Sequence, residues 1–148
     1  MITPLTKNYK GLISITGPTR SGKSKLAEFL ITTHDPVTYI ATSKPRPNDP
    51  EWQTRIDFHR KRRPDRWRLI EYPKDICKVI ESINGNHSFL IDSIGGLVEQ
   101  HLTEDDDQWS IFQYKFLKNL SEDNLCIVVV SEEVGWGIVP ATPLGHLF

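Results

Sequence analysis

Cysteine is scarce in this 148-residue chain, which carries only Cys77 and Cys126. Two thiols so far apart, outside any CxxC spacing, make neither a disulfide framework nor a thiolate metal site. They fit buried thiols in a reducing compartment. Long apolar runs are missing too, so nothing approaches the ~20 residues that cross a bilayer, and no membrane span is expected. Met1 to Lys10 has no apolar h-region and no small-residue cleavage site, which makes a cytoplasmic location the expectation. Net charge is almost absent, at 18 Lys and Arg against 19 Asp and Glu. That balance argues against a chain devoted to coating nucleic acid. Internal repeats and low-complexity tracts are also lacking. With 38% hydrophobic and 25% charged residues, the chain reads as one globular domain spanning 1–148.

What charge there is lies unevenly. Arg55, Arg60, Lys61, Arg62, Arg63, Arg66 and Arg68 face only Asp57 and Asp65, while Glu104 to Asp107 is an acidic run. The apolar pattern alternates between two periods. Strands are expected at Leu12–Thr16, Val37–Ala41, Trp67–Tyr72, Ser88–Asp92 and Leu125–Ser131. Helices are expected at Lys23–Thr33, with Leu26, Phe29 and Leu30 on one face, at Pro50 to about Arg63, and at Asp75–Ile83. Two more follow at Ile94–Leu102 and Gln108–Leu120, with the acidic run as their connector. Pro50 suits a first helical turn and Pro64 a stop. Continuous apolar strands alternating with helices imply an α/β fold with a mostly parallel sheet, covered by helices on both faces.

Between the first strand and first helix lies Gly17-Pro18-Thr19-Arg20-Ser21-Gly22-Lys23-Ser24, a GxxxxGK[ST] phosphate-binding loop. Glycines let successive backbone N–H groups turn inward around a phosphate, and the helix adds its positive end. Lys23 reaches the β- and γ-phosphates, and the Ser24 hydroxyl serves Mg²⁺. Pro18 withdraws one donor from that cradle. Asp92 closes an apolar strand, where a carboxylate holds Mg²⁺ in such proteins; the competing reading is an N-cap for the next helix. His59 shares a helix face with Trp52 and Ile56, which suits a packing histidine. Its neighbours Arg60, Lys61, Arg62 and Arg63 suit instead a nucleophilic imidazole beside a nucleotide's phosphates. His34, His87, His101 and His146 have no such setting.

These residues resemble the bifunctional adenosylcobinamide kinase/adenosylcobinamide-phosphate guanylyltransferases of cobalamin biosynthesis. The resemblance rests on the P-loop, on Tyr39-Ile40-Ala41-Thr42-Ser43, and on Arg55-Ile56 with His59 and Arg63-Pro64, followed by Trp67 and Glu71. It extends to Ser131-Glu132-Glu133-Val134-Gly135-Trp136-Gly137-Ile138-Val139-Pro140. It implies a RecA-like sheet, phosphorylation of adenosylcobinamide by ATP or GTP, and transfer of GMP from GTP through a guanylyl-histidine to give adenosyl-GDP-cobinamide. By position that histidine is His59. The resemblance further implies guanine-nucleotide contacts from the P-loop, Ala41, Thr42, Ser43, Arg60 to Arg63, Glu71 and Asp92, and assembly as a homo-oligomer.

Members usually continue past the last motif with a helix and a strand, so a chain stopping at Phe148 is expected to be C-terminally short. Leu125–Ser131 is then either flanked on both sides already or left with an edge that is open or borrowed from a second subunit. Two other roles compete: an impaired P-loop protein kept for binding or regulation, and an unrelated ATPase or nucleic-acid module using the basic stretch.

Overall fold

The computed structural model describes residues 1–83 and 85–133. Asn84, the Val134–Pro140 part of the last motif, and His146 lie outside them. Five strands, β1 (Gly11–Gly17), β2 (Val37–Ala41), β3 (Arg68–Glu71), β4 (Ser88–Asp92) and β5 (Cys126–Glu132), form one sheet. Its order is β1-β5-β4-β2-β3, and every pair is parallel. The helices are α1 (Lys23–Ile31), α2 (Pro50–Arg62), α3 (Ile76–Ser82), α4 (Ile94–His101) and α5 (Asp106–Leu120). The apolar strand β5 is flanked on both sides, by β1 and β4, so the first of the two expected arrangements holds.

The sheet separates two apolar layers. On one face, Ile40, Phe89, Ile91, Ile127 and Val129 meet Ile76, Cys77 and Ile80 of α3, Leu97 of α4 and Phe116 and Leu120 of α5. On the other, Val37, Tyr39, Leu90, Val128 and Val130 meet Ala27 and Ile31 of α1 together with Trp67. Strands buried on both faces are why these segments read as continuous apolar runs rather than alternating ones. Each fully buried Ile, Leu or Phe contributes ~1.5 to 3 kcal/mol of transfer free energy, so the central strands dominate the stabilisation.

Two helical expectations need correction. The buried stripe of α1 is Ala27, Glu28 and Ile31, whereas Phe29 is exposed and Leu26 and Leu30 are only half-buried. Both stripes satisfy helical spacing; small Ala27 lets the helix approach the sheet closely, and Leu5 packs against the same apolar layer with its N–H donating to the Leu30 carbonyl at 2.9 Å. The acidic run is less a connector than the start of α5. Asp105 accepts from the Gln108 N–H at 2.8 Å, and Gln108 answers on the Asp105 N–H at 3.3 Å. That reciprocal cap, with Asp106 and Asp107 in the first turn, favours a helix beginning two residues earlier.

The helix starts are treated differently, and the difference points to the site. Asp49 caps α2 by accepting from the Trp52 N–H at 3.1 Å, with Pro50 in the first turn, and Asp75 caps α3 through the Lys78 N–H at 3.1 Å. Helix α1 starts at Gly22, whose φ of 90° only glycine adopts without strain, and no side chain caps it. Its first N–H groups are left without a side-chain cap.

Candidate nucleotide-binding and transfer site

Parallel strands put all their C-terminal ends on one side, and ligands gather there. The P-loop follows β1, the 41–43 segment follows β2, Glu71 ends β3, Asp92 ends β4 and Glu132 ends β5. Helix α2 lies across this edge with none of its residues fully buried.

A cleft of about 780 Å³ opens here, lined by Thr19 to Lys25, by Arg46, Trp52, Arg55, Phe58, His59 and Arg62, and by Asp92 and Glu132. Its volume is within the range of small-molecule sites. A smaller pocket of about 150 Å³ adjoins it, walled by Tyr39, Ala41, Ser43, Arg63 and Glu71. Arg46, Trp52, Arg55, His59 and Asp92 line both spaces. His59 thus forms part of the partition between them.

The predicted residues divide by position. Thr19 to Ser24 face the larger cleft. Gly17 sits behind the loop, where a Cβ would come within 3.2 Å of Ser21 Oγ. Pro18 offers its carbonyl, which accepts from Lys23 Nζ at 2.7 Å and parks that ammonium across the loop. Ala41, Ser43 and Glu71 wall the small pocket. Thr42 stands behind it, fully buried. Its hydroxyl accepts from the Ser93 N–H at 2.7 Å and donates to the Ser93 carbonyl at 2.6 Å, while its own carbonyl accepts from Gln100 Nε2 at 2.8 Å. With those groups engaged, Thr42 ties β2 to β4 and leaves contact to its neighbours.

The four cations after His59 also part company. Arg62 reaches into the larger cleft, and Arg63 lies over the Tyr39 ring at 4.2 Å with its Nε donating to the His59 carbonyl at 3.1 Å. Arg60 pairs outward with Asp57 at 3.9 Å, and exposed Lys61 lines neither space. A helix shows a given face only every three or four residues, so four successive cations cannot all face one ligand. Arg46 and Arg55, which were not among the expected nucleotide contacts, supply cleft cations instead.

Asp92 does not cap α4. Ser93 is the cap residue, and Glu132 of β5 serves the helix start by accepting from the Gly95 N–H at 2.9 Å and from the Ser93 hydroxyl. Asp92 Oδ2 accepts from the Tyr39 hydroxyl at 2.7 Å. Burial, and then the Asp92 charge and hydrogen bond, hold the Tyr39 phenol well above its usual pKa, so it stays a donor.

Around His59 the structure assembles a group that periodicity did not show. Glu28 on α1 is 7% exposed. Its carboxylate takes two hydrogen bonds from Arg62, at 2.9 Å from Nε and 3.1 Å from Nη2. His59 Nδ1 lies 3.7 Å from Glu28 Oε1, 4.0 Å from Asp92 Oδ2 and 3.4 Å from Arg62 Nη2. Burial alone would raise the Glu28 pKa, but the His59 and Arg62 contacts outweigh it and hold the carboxyl below its ordinary value. The signal available in the sequence was a glutamate falling on a buried helical stripe, which calls for a partner.

The other chemistry-bearing groups lie elsewhere. Cys77 and Cys126 are buried free thiols pushed up to about 11 by desolvation, which keeps them protonated and unreactive. His87 Nε2 pairs with Thr38 at 2.7 Å, and His101 stacks on Phe112 at 3.8 Å.

A parallel sheet whose first strand runs through a glycine-rich loop into an uncapped helix, with an acid at the end of a nearby strand, defines a P-loop nucleotide-binding protein of the α/β class. Residues 13–148 match the family model described as cobinamide kinase / cobinamide phosphate guanyltransferase. The chain belongs to that family. It is 34% identical to the bifunctional adenosylcobalamin biosynthesis protein CobU of Escherichia coli strain K12, over 93% of this chain and 83% of that protein. To the protein of that name from Salmonella typhimurium it is 32% identical, with the same coverage. To the bifunctional adenosylcobalamin biosynthesis protein CobP of Pseudomonas aeruginosa it is 34% identical, over 90% of this chain and 78% of that one.

Proposed function

We propose that this chain is an adenosylcobinamide kinase and adenosylcobinamide-phosphate guanylyltransferase acting at the larger cleft. The observation that carries the reading is the convergence of a P-loop lysine, a strand-end aspartate and His59 on one cavity.

In the kinase step a nucleoside triphosphate lies with its phosphates in the Thr19–Ser24 cradle. Lys23 leaves the Pro18 carbonyl to neutralise the β- and γ-phosphates, and the N–H groups at the start of α1 hold the phosphate oxygens. The hydroxyl of the aminopropanol arm attacks the γ-phosphorus and gives up its proton to water, the phosphorus bond to the β,γ-bridging oxygen breaks, and the nucleoside diphosphate leaves. In the guanylyl step the His59 imidazole attacks the α-phosphorus of GTP and pyrophosphate leaves. A phosphate oxygen of the phosphorylated arm then attacks the same phosphorus, freeing His59 and yielding adenosyl-GDP-cobinamide. Splitting the transfer through a covalent adduct replaces one hard displacement by two easier ones. Arg46, Arg55 and Arg62 offset the charge gathered on the phosphates.

Mg²⁺ fits the donors present. The Ser24 hydroxyl and the Asp92 carboxylate are hard oxygen ligands that both line the larger cleft, and Asp92 Oδ1 stands beside the Tyr39-bound Oδ2. Among the described residues no cluster of three or more His, Cys, Asp or Glu forms a protein-only cage. Mg²⁺ bound to nucleotide takes only one or two protein oxygens and draws the rest from phosphate and water. When bound it offsets phosphate charge.

Ala41, Ser43, Arg63 and Glu71 are the contacts we assign to the smaller pocket, with Glu71 free to accept from a base edge. A homo-oligomer acting in the cytoplasm completes the reading. It is supported by the family resemblance and by two unreactive free thiols, and sedimentation velocity tests the assembly.

Intact mass after incubation with GTP and Mg²⁺ tests the central step. A gain of one GMP, absent in His59→Ala, is expected; no adduct, or an adduct retained in His59→Ala, overturns the assignment.

A further inference from the structure

Glu28 has no part in the phosphate chemistry above, yet a carboxylate almost wholly removed from water needs a reason to be there. It lies one helical turn beyond Ser24, on the same side of α1 as that P-loop serine. It is also the group through which α1 holds α2, by the paired hydrogen bonds from Arg62.

We propose that Glu28 is the positioning residue for His59, fixing its ring so that Nδ1 carries the proton and Nε2 is the atom that takes the guanylyl group. This rests on the reading of His59 as the acceptor. The geometry argues it directly. Nδ1 is turned towards two carboxylates, at 3.7 and 4.0 Å, and the nearer belongs to Glu28. The opposite tautomer would aim the Nδ1 lone pair at both. Arg62 Nη2, 3.4 Å from Nδ1, is the competing donor: one of its two N–H groups goes to Glu28 at 3.1 Å and the other can reach Nδ1. The tautomer spectrum below therefore decides between Arg62 and the carboxylates as the partner of that nitrogen. In the proposed arrangement Arg62 anchors the carboxylate, and the carboxylate orients the ring. Arg63 steadies the same turn from the other side by donating to the His59 carbonyl. With its side chain only 14% exposed, His59 has little room to choose another orientation.

A partner of this kind acts on rate more than on binding. It sets which nitrogen faces the phosphorus and stabilises positive charge building on the ring as the bond forms. An ion pair that merely fastens two helices would leave the tautomer and the reacting nitrogen unaffected, and that difference makes the proposal testable.

The experiment has two parts. Long-range proton–nitrogen correlation spectra of the free, nitrogen-15-labelled protein assign the His59 tautomer, with His59→Gln identifying the signal. The Nδ1–H form is expected. Single-turnover labelling with GTP and Mg²⁺ then compares parent, Glu28→Gln and Glu28→Asp. Glu28→Gln should slow adduct formation at saturating GTP by about 10- to 100-fold. GTP affinity by calorimetry should stay within about threefold. Glu28→Asp should recover part of the rate, and the adduct should map to Nε2. A parental His59 in the Nε2–H form overturns the proposal whether or not Glu28→Gln folds, and so does parental-rate labelling of Glu28→Gln. Failure of the acceptor reading shows separately, as GMP uptake that survives His59→Ala.

Discussion

Replacing Gly96 by alanine probes how closely α4 approaches the segment that walls the small pocket. A Cβ on Gly96 would fall 2.3 Å from Thr42 Oγ1, 2.8 Å from the Thr42 carbonyl carbon and 2.9 Å from Ser43 N. Turning the Thr42 side chain could relieve the first contact, at the loss of its two hydrogen bonds with Ser93. The other two contacts are backbone and yield only if helix and loop separate. Alanine gains ~1 kcal/mol of helix propensity over glycine. Overpacking costs ~1 to 3 kcal/mol, and each lost hydrogen bond ~0.5 to 1.5 kcal/mol. The crowding wins, and with both hydrogen bonds lost the net loss is about 1 to 5 kcal/mol, a fall in Tm of roughly 3 to 15 °C for a domain of this size. Urea unfolding and calorimetry measure it. Because two of the three close contacts are to backbone atoms, adding Thr42→Ala should not restore stability. A Gly96→Ala protein as stable as the parent, or one rescued by Thr42→Ala, would refute the reasoning.

Lys23→Ala should weaken GTP binding by about 10- to 100-fold or more, the loss of a charge-assisted contact. Its far-UV spectrum and unfolding midpoint should stay near the parent's, because among the described residues Lys23 holds only the Pro18 carbonyl; calorimetry reads the binding and thermal melts the stability. Burial lowers the pKa of His34 and of His87, and positive charge on Lys10 and Arg68 adds to it. The unfolded chain then takes up these protons first. Their contribution is whole above the ordinary histidine value of 6.5 and is lost as pH falls through the lower folded values. Unfolding free energy should decline between about pH 7 and 5, and the His34→Gln/His87→Gln pair should flatten that slope. Glu28 has a lowered pKa as well, so its contribution is present above 4.5 and disappears at lower pH. Glu28→Gln should remove that acid limb from a stability profile while leaving the histidine limb in place.

The sheet was legible because its strands are buried on both faces and bounded by glycine, proline and capping acids; β2 and β4 begin and end where the pattern placed them. The P-loop was legible because its chemistry is local, eight residues acting through their own backbone. What escaped the sequence is long-range. Glu28 meets Arg62 across 34 positions, Tyr39 meets Asp92 across 53, and Glu132 meets Ser93 across 39. No local period encodes such meetings; they exist only once β1, β4, β2 and β5 lie side by side. The face of α1 was misread for a related reason, since an apolar count favours Leu26, Phe29 and Leu30 until one knows that the buried stripe includes a paired glutamate. The cation run after His59 showed where positive charge gathers, but helical geometry splits it between solvent and site.

The sheet order also bears on how the molecule comes to be. Gly11 finds its register opposite Cys126, and the P-loop is braced only when the Glu133 N–H donates to the Gly17 carbonyl at 3.3 Å. The earliest strand in the chain therefore waits for β5, the last of the five and its one partner strand among the described residues. Pairings this distant in sequence are slow to close, so the phosphate cradle belongs to the late steps of folding. During synthesis β2, β3 and β4 can meet while β1 is still unpaired. On the proposed reading, nucleotide binds only the finished cradle and would pull the last docking step forward by mass action. Holding GTP would then report that β5 has docked beside β1, as well as begin catalysis.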